Sequence, residues 1–279
     1  HDGHFYKLIE KTRLSPDSCL LRFALPPAKT LGDDLTIPTC ITVTLLAETA
    51  RELLARPDVM EDVSKSYSPI SHPSAKGYFE LVVKSYPYRP GGGGVGAYLC
   101  GLEVSEENDD YGHGSGILSK LKSPRMMHGS PAVLHRWKHI GLVAGGTGIA
   151  PLFQIARIAL EEETTAGGAA SVHLLYVNRR REDILMREEI NQLVMKYPGR
   201  FSVTHSLTRE GNRDGEEQEQ DGDDTTCSDD FVYQQGRGSA EMALGALPPP
   251  SNVDADVDAD ADAHTMILVC GTDGFVKSW

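Results

Sequence analysis

No run of this 279-residue chain approaches the ~18–20 consecutive apolar residues of a membrane-spanning helix. Whatever precedes His1 is not addressed by that absence, and with no initiator Met the chain is expected to be an incomplete gene product. Cysteine is sparse: Cys19, Cys40, Cys100, Cys227 and Cys270 are odd in number and scattered, which argues against a disulfide framework, a zinc site or an iron–sulfur cluster and fits a reducing compartment. The ten histidines include no His-Glu-x-x-His and no paired metal spacing, so none is assigned as a ligand. Positive charge is also short, at 27 Lys and Arg against 40 Asp and Glu, and no basic, aromatic-rich stretch suggests nucleic acid.

The acidity is local. Residues 209–230 hold ten acids against Arg209 and Arg213, and Asp254, Asp256, Asp258, Asp260 and Asp262 alternate with small apolar residues. These two tracts account for the whole net charge of −13, leaving the remainder neutral. Both read as solvated, disordered insertions near 209–230 and 251–264 and not as partner-binding faces. Glu103–Gly116 reads as a further surface loop.

What the chain does have is a glycine turn. Residues 141–151 read Gly-Leu-Val-Ala-Gly-Gly-Thr-Gly-Ile-Ala-Pro, preceded by the apolar run Ile140–Ala144 and followed by apolar residues at Leu152, Ile155, Ala156 and Ala159. That is a buried strand, a turn and a helix. Such a turn gathers backbone N–H groups and the positive end of a helix dipole at one point, which suits a phosphate or a dinucleotide. The turn matches neither the Gly-x-Gly-x-x-Gly spacing nor a P-loop, so alone it is a weak signal. Its company strengthens it: strands at Val172–Val177, Phe201–Leu207 and Thr265–Val269, a helix over Ile184–Tyr197, and a closing Cys270-Gly271-Thr272-Asp273-Gly274. Alternating strands and helices predict a parallel sheet that binds ligands at its carboxyl edge.

Gly-Gly-Thr-Gly-Ile-x-Pro, then Asn178-x-x-x-x-Asp183-Ile-Leu-x-Arg-Glu-Glu, then Cys-Gly resemble, in order and spacing, the ferredoxin-reductase superfamily, and within it the NADH–cytochrome b5 reductases. The resemblance implies an N-terminal antiparallel β-barrel holding FAD (1–136) and a C-terminal α/β parallel-sheet domain binding NAD(P) (137–279). The first half is similar as well. Leu21–Pro26 and Ile41–Leu45 are strand-like, Lys65-Ser-Tyr-Ser-Pro resembles the family's Arg-Pro-Tyr-Thr/Ser-Pro flavin motif, and Gly77–Lys84 resembles the strand beside the flavin ring. Gly92–Leu99 stands where a diphosphate-binding helix begins.

On that resemblance the FAD-binding set is Lys65, Tyr67, Ser68, Val82, Val83, Lys84, Gly93, Gly94, Val95 and Gly96, with Ser68 facing flavin N5. The NADH-binding set is Gly146, Thr147, Gly148, Asp183, Cys270 and Gly271. Cys270 is either a small core residue or the thiol beside the nicotinamide. Arg179, Arg180 and Arg181 are either a solvated cluster or a 2′-phosphate site that Asp183 opposes, so NADH is expected and NADPH is the alternative. Lys84 is a dinucleotide contact or a plain strand-end charge. Two departures bear on FAD. Lys65 replaces an arginine fork with a compact charge, and Gly96 stands where the family carries a hydroxyl.

The implied reaction is hydride transfer from NADH to FAD, then single electrons to a haem-protein acceptor such as cytochrome b5, with no metal. Another reductase module of the superfamily, nitrate-reductase-like, or a degenerate non-catalytic member acting as an interaction module are the alternatives. The expected location is a reducing, cytoplasmic compartment, with the cytosolic face of the endoplasmic reticulum or the mitochondrial outer membrane as variants. Membrane contact would come only through a segment outside this chain.

Overall fold

The computed structural model describes residues 4–31, 40–45, 47, 51, 62–86, 94–104, 116–122, 137–161, 170–209, 232–236, 238–248 and 265–279. The acidic tracts at 210–230 and 251–264, the interior of the 103–116 insertion and Gly93 lie outside these residues. The chain divides into two units, one of His1–Leu134 with Phe153–Ile158, the other of His135–Leu152 with Ala159–Trp279.

Among the described residues the first unit holds six strands, β1 (His4–Ser15), β2 (Ser18–Ala24), β3 (Cys40–Leu45), β4 (Val63–Tyr67), β5 (Tyr78–Lys84) and β6 (Gly116–Lys122). They lie in the order β4-β3-β6-β1-β2-β5, and every pairing is antiparallel. Just past β4, Pro69 forms an antiparallel bridge to Leu81 of β5, and the Ile70 N–H donates to the Glu80 carbonyl at 2.9 Å. The two outer strands are thereby joined, and the sheet closes as a barrel.

Alternation explains its core. Leu21 and Phe23 of β2, Ile41 and Val43 of β3, and Phe79, Leu81 and Val83 of β5 are fully buried, each separated from the next by a residue facing the other way. Phe23 and Phe79 are register partners whose rings stack at 5.3 Å, and Tyr6 meets Phe79 edge-on at 5.1 Å. Burying each such side chain contributes about 1.5–3 kcal/mol. On the other face Arg22 pairs with Glu10 and, at 2.6 Å, with its cross-strand partner Glu80. Helix α1 (Val95–Gly101) adds Val95 and Leu99 to the core.

Among its described residues the second unit carries five parallel strands, β7 (His139–Gly145), β8 (Ser171–Asn178), β9 (Phe201–Leu207), β10 (Val232–Gln235) and β11 (Thr265–Cys270), in the order β10-β9-β8-β7-β11. Helices α2 (Ile149–Glu161), α3 (Arg187–Lys196), α4 (Ala240–Ala246) and the single turn α5 (Asp273–Val276) connect or follow them. The near-continuous apolar runs of β7 and β8 are buried over most of their length, as strands covered on both faces require. Arg200 ties the end of α2 to the sheet by donating to the carbonyls of Ala159, Leu160 and Ala170 at 3.2–3.4 Å.

Two local differences from the sequence expectation stand out. Helix α3 begins at Arg187 and not at Ile184, because residues 181–183 form a tight 3-10 turn and Met186 adopts a left-handed φ of 59°. The short elements β10 and α4 have too few residues to show a period, and they were not expected. Among the described residues no helix is long and apolar enough to cross a membrane.

Candidate functional site

From β7 the chain steps outward through β8, β9 and β10 and then returns to the other side of β7 as β11. The strand order reverses there, and the crevice at the carboxyl ends of β7 and β11 is where open parallel sheets take ligands. Both motif loops emerge at that point. Residues Gly146–Gly148 form a 3-10 turn leading into α2, while Cys270-Gly271 ends β11. They touch: a Cβ on Gly148 would fall far inside contact with the Cys270 carbonyl oxygen and lie 2.7 Å from the Gly271 nitrogen. The Phe275 ring lies against Gly145, where a Cβ would meet it at 2.8 Å, and against Gly271. No side chain caps the start of the turn, and neither the turn nor α2 has an acid in its first turn. Backbone N–H groups and the helix dipole are thus left to an anion.

Cys270 is half-buried. Burial pushes its thiol pKa up, outweighing the opposing Gly271 N–H, so the group is a neutral thiol at physiological pH. It is suited to packing against a ligand and not to nucleophilic attack.

The exit of β8 carries the arginine cluster. Arg179 faces Asp183 at 3.5 Å and Arg180 faces Glu182 at 3.5 Å, while the Arg181 guanidinium lies 4.2 Å from the Tyr233 ring centroid. Arg179 and Arg180 therefore already meet carboxylates. Apart from the half-buried Asp183 these groups are exposed, so the pairs contribute little to stability, but their carboxylates would oppose a 2′-phosphate placed here.

In the barrel unit, Lys65, Tyr67 and Ser68 sit on and after β4, at the seam closed by Pro69. The Lys65 ammonium lies 5.6 Å from the Tyr67 ring and 5.5 Å from the Tyr86 ring, two cation–π contacts of which Tyr86 was not anticipated. Ser68 is half-buried. Val83 points into the barrel core, whereas its neighbour Val82 is buried on the other face of β5. Lys84 is 9 % exposed and forms an ion pair with Asp17 at 3.1 Å. Burial of Asp17 works to raise its pKa, but hydrogen bonds from Lys84 and Ser15 outweigh it and hold the carboxyl below its ordinary value.

Gly94 opens α1 with φ 83°, and its N–H donates to the Tyr86 carbonyl at 3.2 Å; Val95 and Gly96 follow, both buried. Gly96 presses on the Lys84 carbonyl so closely that any Cβ there would overlap it. The departure at Gly96 thus has a physical meaning the sequence did not disclose, since this backbone has no room for the hydroxyl side chain. The same imaginary Cβ would lie 3.6 Å from the Tyr67 hydroxyl. That hydroxyl is buried and has no hydrogen-bond partner among the described residues. Leaving such a group unmet costs about 1–3 kcal/mol. A polar ligand group against α1 would satisfy it, so the residues present fit a cofactor with hydroxyl and phosphate oxygens.

Comparison with known proteins agrees in both halves. A family model described as an oxidoreductase FAD-binding domain matches residues 6–112, and one described as an oxidoreductase NAD-binding domain matches residues 142–279. The chain is similar to NADH-cytochrome b5 reductase 2 of Mus musculus, with 27% identity over 97% of this chain and 86% of the relative. It is 33% identical to the nitrate reductase [NADH] of Lotus japonicus over 71% of this chain and 20% of that protein. In fold it is similar to the cytochrome b5 reductase domain of Ulva prolifera nitrate reductase, with TM-score 0.66, 22% identity, and coverage of 99% of this chain and 89% of that one. A barrel with an FAD-binding signature and a parallel sheet with an NAD-binding one make this chain a NADH–cytochrome b5 reductase-like member of the ferredoxin-reductase superfamily, an FAD-dependent NAD(P)H reductase.

Proposed function

We propose that this reductase draws hydride from NADH and delivers single electrons to a haem protein, cytochrome b5 in the first instance. Bound FAD supplies the conversion from a two-electron donor to a one-electron acceptor. The residues contribute binding, orientation and charge. Tyr67, Ser68, Lys65, the β5 backbone at Val82, Val83 and Lys84, and the turn at Gly93, Gly94, Val95 and Gly96 would hold FAD. The Tyr67 hydroxyl, buried beside Gly96 with no partner among the described residues, is the observation that carries this half of the reading. Gly146, Thr147 and Gly148 would take the NADH diphosphate on their N–H groups, and Asp183 the adenosine ribose. Cys270 and Gly271 would lie along the nicotinamide side of the loop pair, with the neutral thiol helping to position the ring. Asp183 and Glu182, facing Arg179 and Arg180, favour NADH over NADPH.

Support for cytochrome b5 as acceptor comes from the relatives aligned over nearly the whole chain, whose names give that partner for them. A fused nitrate-reductase-like module is the second reading, supported by the likeness to the plant enzyme. The reading extends to a reducing, cytoplasmic setting, in keeping with the free thiols of Cys19, Cys100 and Cys270.

The test has two stages. Purified protein should be yellow with a flavin absorption band, and NADH should bleach it. NADH-driven reduction of cytochrome b5, followed at the haem bands, should then saturate with the haem protein. Reduction of ferricyanide with no reduction of cytochrome b5 would overturn the acceptor while leaving the reductase intact.

A further inference from the structure

Tyr176, in the middle of the apolar strand β8, was assigned no role by its motif, yet it is fully buried and its hydroxyl is fully engaged. It donates to the Gly146 carbonyl at 3.1 Å and accepts from the Leu185 N–H at 3.3 Å. The first partner belongs to the glycine turn, at a residue with φ 53°. The second lies two residues after Asp183 and next to Met186, whose φ is 59°. One hydroxyl therefore bolts together two left-handed kinks of the backbone.

The geometry has a directional consequence. In a trans peptide the carbonyl and the following N–H point in opposite directions. The Gly146 carbonyl also accepts from Ile149 N–H within the turn, so both of its lone pairs are directed into the protein. With that carbonyl held inward, the Thr147 N–H of the same peptide is turned away from Tyr176. The ring has its own brace. Tyr176, His205 and Tyr233 are register neighbours on three adjacent strands, with His205 stacked on Tyr233 at 5.3 Å and tilted to Tyr176 at 5.7 Å. Arg181 completes the row over Tyr233. Burial pushes the Tyr176 hydroxyl pKa up and moves the His205 pKa down to about 4, so the row adds no ionised ring at neutral pH.

We propose that Tyr176 is a positioning residue for NADH, fixing the diphosphate turn at Gly146–Gly148 and the Asp183 turn in one register so that a dinucleotide meets both prealigned. The proposal rests on the reading that these two turns receive the diphosphate and the adenosine ribose.

The test is Tyr176→Phe in the FAD-loaded protein, with ADP-ribose as the probe for binding. Calorimetry should show ADP-ribose binding weakened about fivefold, in the range that one neutral hydrogen bond commands. The KM for NADH should rise by a similar factor while kcat at saturating NADH stays within about twofold, since the hydroxyl is away from the reacting atoms. Amide exchange at Leu185 should quicken, with the β8 ladder amides unchanged. Wild-type ADP-ribose affinity and KM in the variant would overturn the proposal, as would a fall in kcat with KM unmoved. If wild-type protein itself failed to bind ADP-ribose, the site assignment beneath the proposal would fall instead. Should Tyr176→Phe not fold, the native chain still decides: ADP-ribose must slow exchange at Leu185 as well as at Thr147, and an indifferent Leu185 overturns the coupling.

Discussion

The barrel and the parallel sheet each present a glycine turn with uncapped N–H groups, and each braces that turn differently. In the barrel the brace is local crowding: Gly96 rests on the Lys84 carbonyl and Gly94 is held by Tyr86, with neighbouring β5 and its exit supplying both contacts. In the sheet the brace is remote. Gly148 leans on Cys270 from β11, Gly145 lies under Phe275, and Gly146 is held by a hydroxyl from β8. The first turn is fixed by a hairpin-scale arrangement, the second only by the completed tertiary fold.

Substituting the two crowded glycines breaks both sides at once and should give the largest effects. Gly96→Ser restores the family hydroxyl on paper, but its Cβ overlaps a backbone carbonyl. FAD should be lost on gel filtration, seen as disappearance of the flavin band. Retention at wild-type level would show that the α1 contact yields. Gly148→Ala should cut kcat/KM for NADH by more than about a hundredfold, a loss of more than about 2.7 kcal/mol of transition-state stabilisation, while flavin content stays constant.

A medium effect tests charge and not packing. Asp183→Thr frees Arg179 and should shift the NADH/NADPH ratio of kcat/KM toward NADPH by about tenfold, roughly 1.4 kcal/mol. An unmoved ratio in steady-state assays would remove Asp183 from specificity. Cys270→Ser should slow flavin reduction only a few-fold, on the order of 1 kcal/mol or less, because a neutral thiol offers packing and orientation and no ionised chemistry. Stopped-flow traces matching the wild type would leave Cys270 as a packing residue.

The smallest effect belongs to the barrel's ion pair. Asp17 has its pKa lowered on folding, so its contribution is full above its ordinary value of 3.8 and is lost as pH falls through the lowered one. Asp17→Asn should therefore lower Tm most at neutral pH, and the gap should close below about pH 4. With Asp17 41% exposed, less than about 1 kcal/mol is at stake. A gap that widened in acid would contradict the assignment.

The same division between local and remote bracing sets how much was legible in the sequence. The strands β7, β8, β9 and β11 and the glycine turn announced themselves, because apolar runs and glycine punctuation are local properties. The Arg179–Asp183 pair is four residues apart, yet its geometry depends on a 3-10 turn that the helical-looking run from Ile184 concealed. Lys84 meets Asp17 across a strand pairing, which no spacing reveals. Gly96 looked like a lost hydroxyl until the Lys84 carbonyl was seen against it. Tyr176 did leave one trace: a phenol inside Val-His-Leu-Leu-Tyr-Val needs a partner for its hydroxyl once buried, but the sequence names neither Gly146 nor Leu185.

The adjacency of β7 and β11 has a consequence in time. β7 ends at Gly145 and β11 begins only at Thr265, with β8, β9 and β10 made in between. On the ribosome, β7 and β8 can pair early, but the crevice against Cys270 cannot exist until β11 has emerged and inserted alongside β7. The described barrel strands, complete by Lys122, face no such delay. A nascent chain stalled before Thr265 should therefore acquire its flavin-side strand pairings long before it acquires affinity for a dinucleotide.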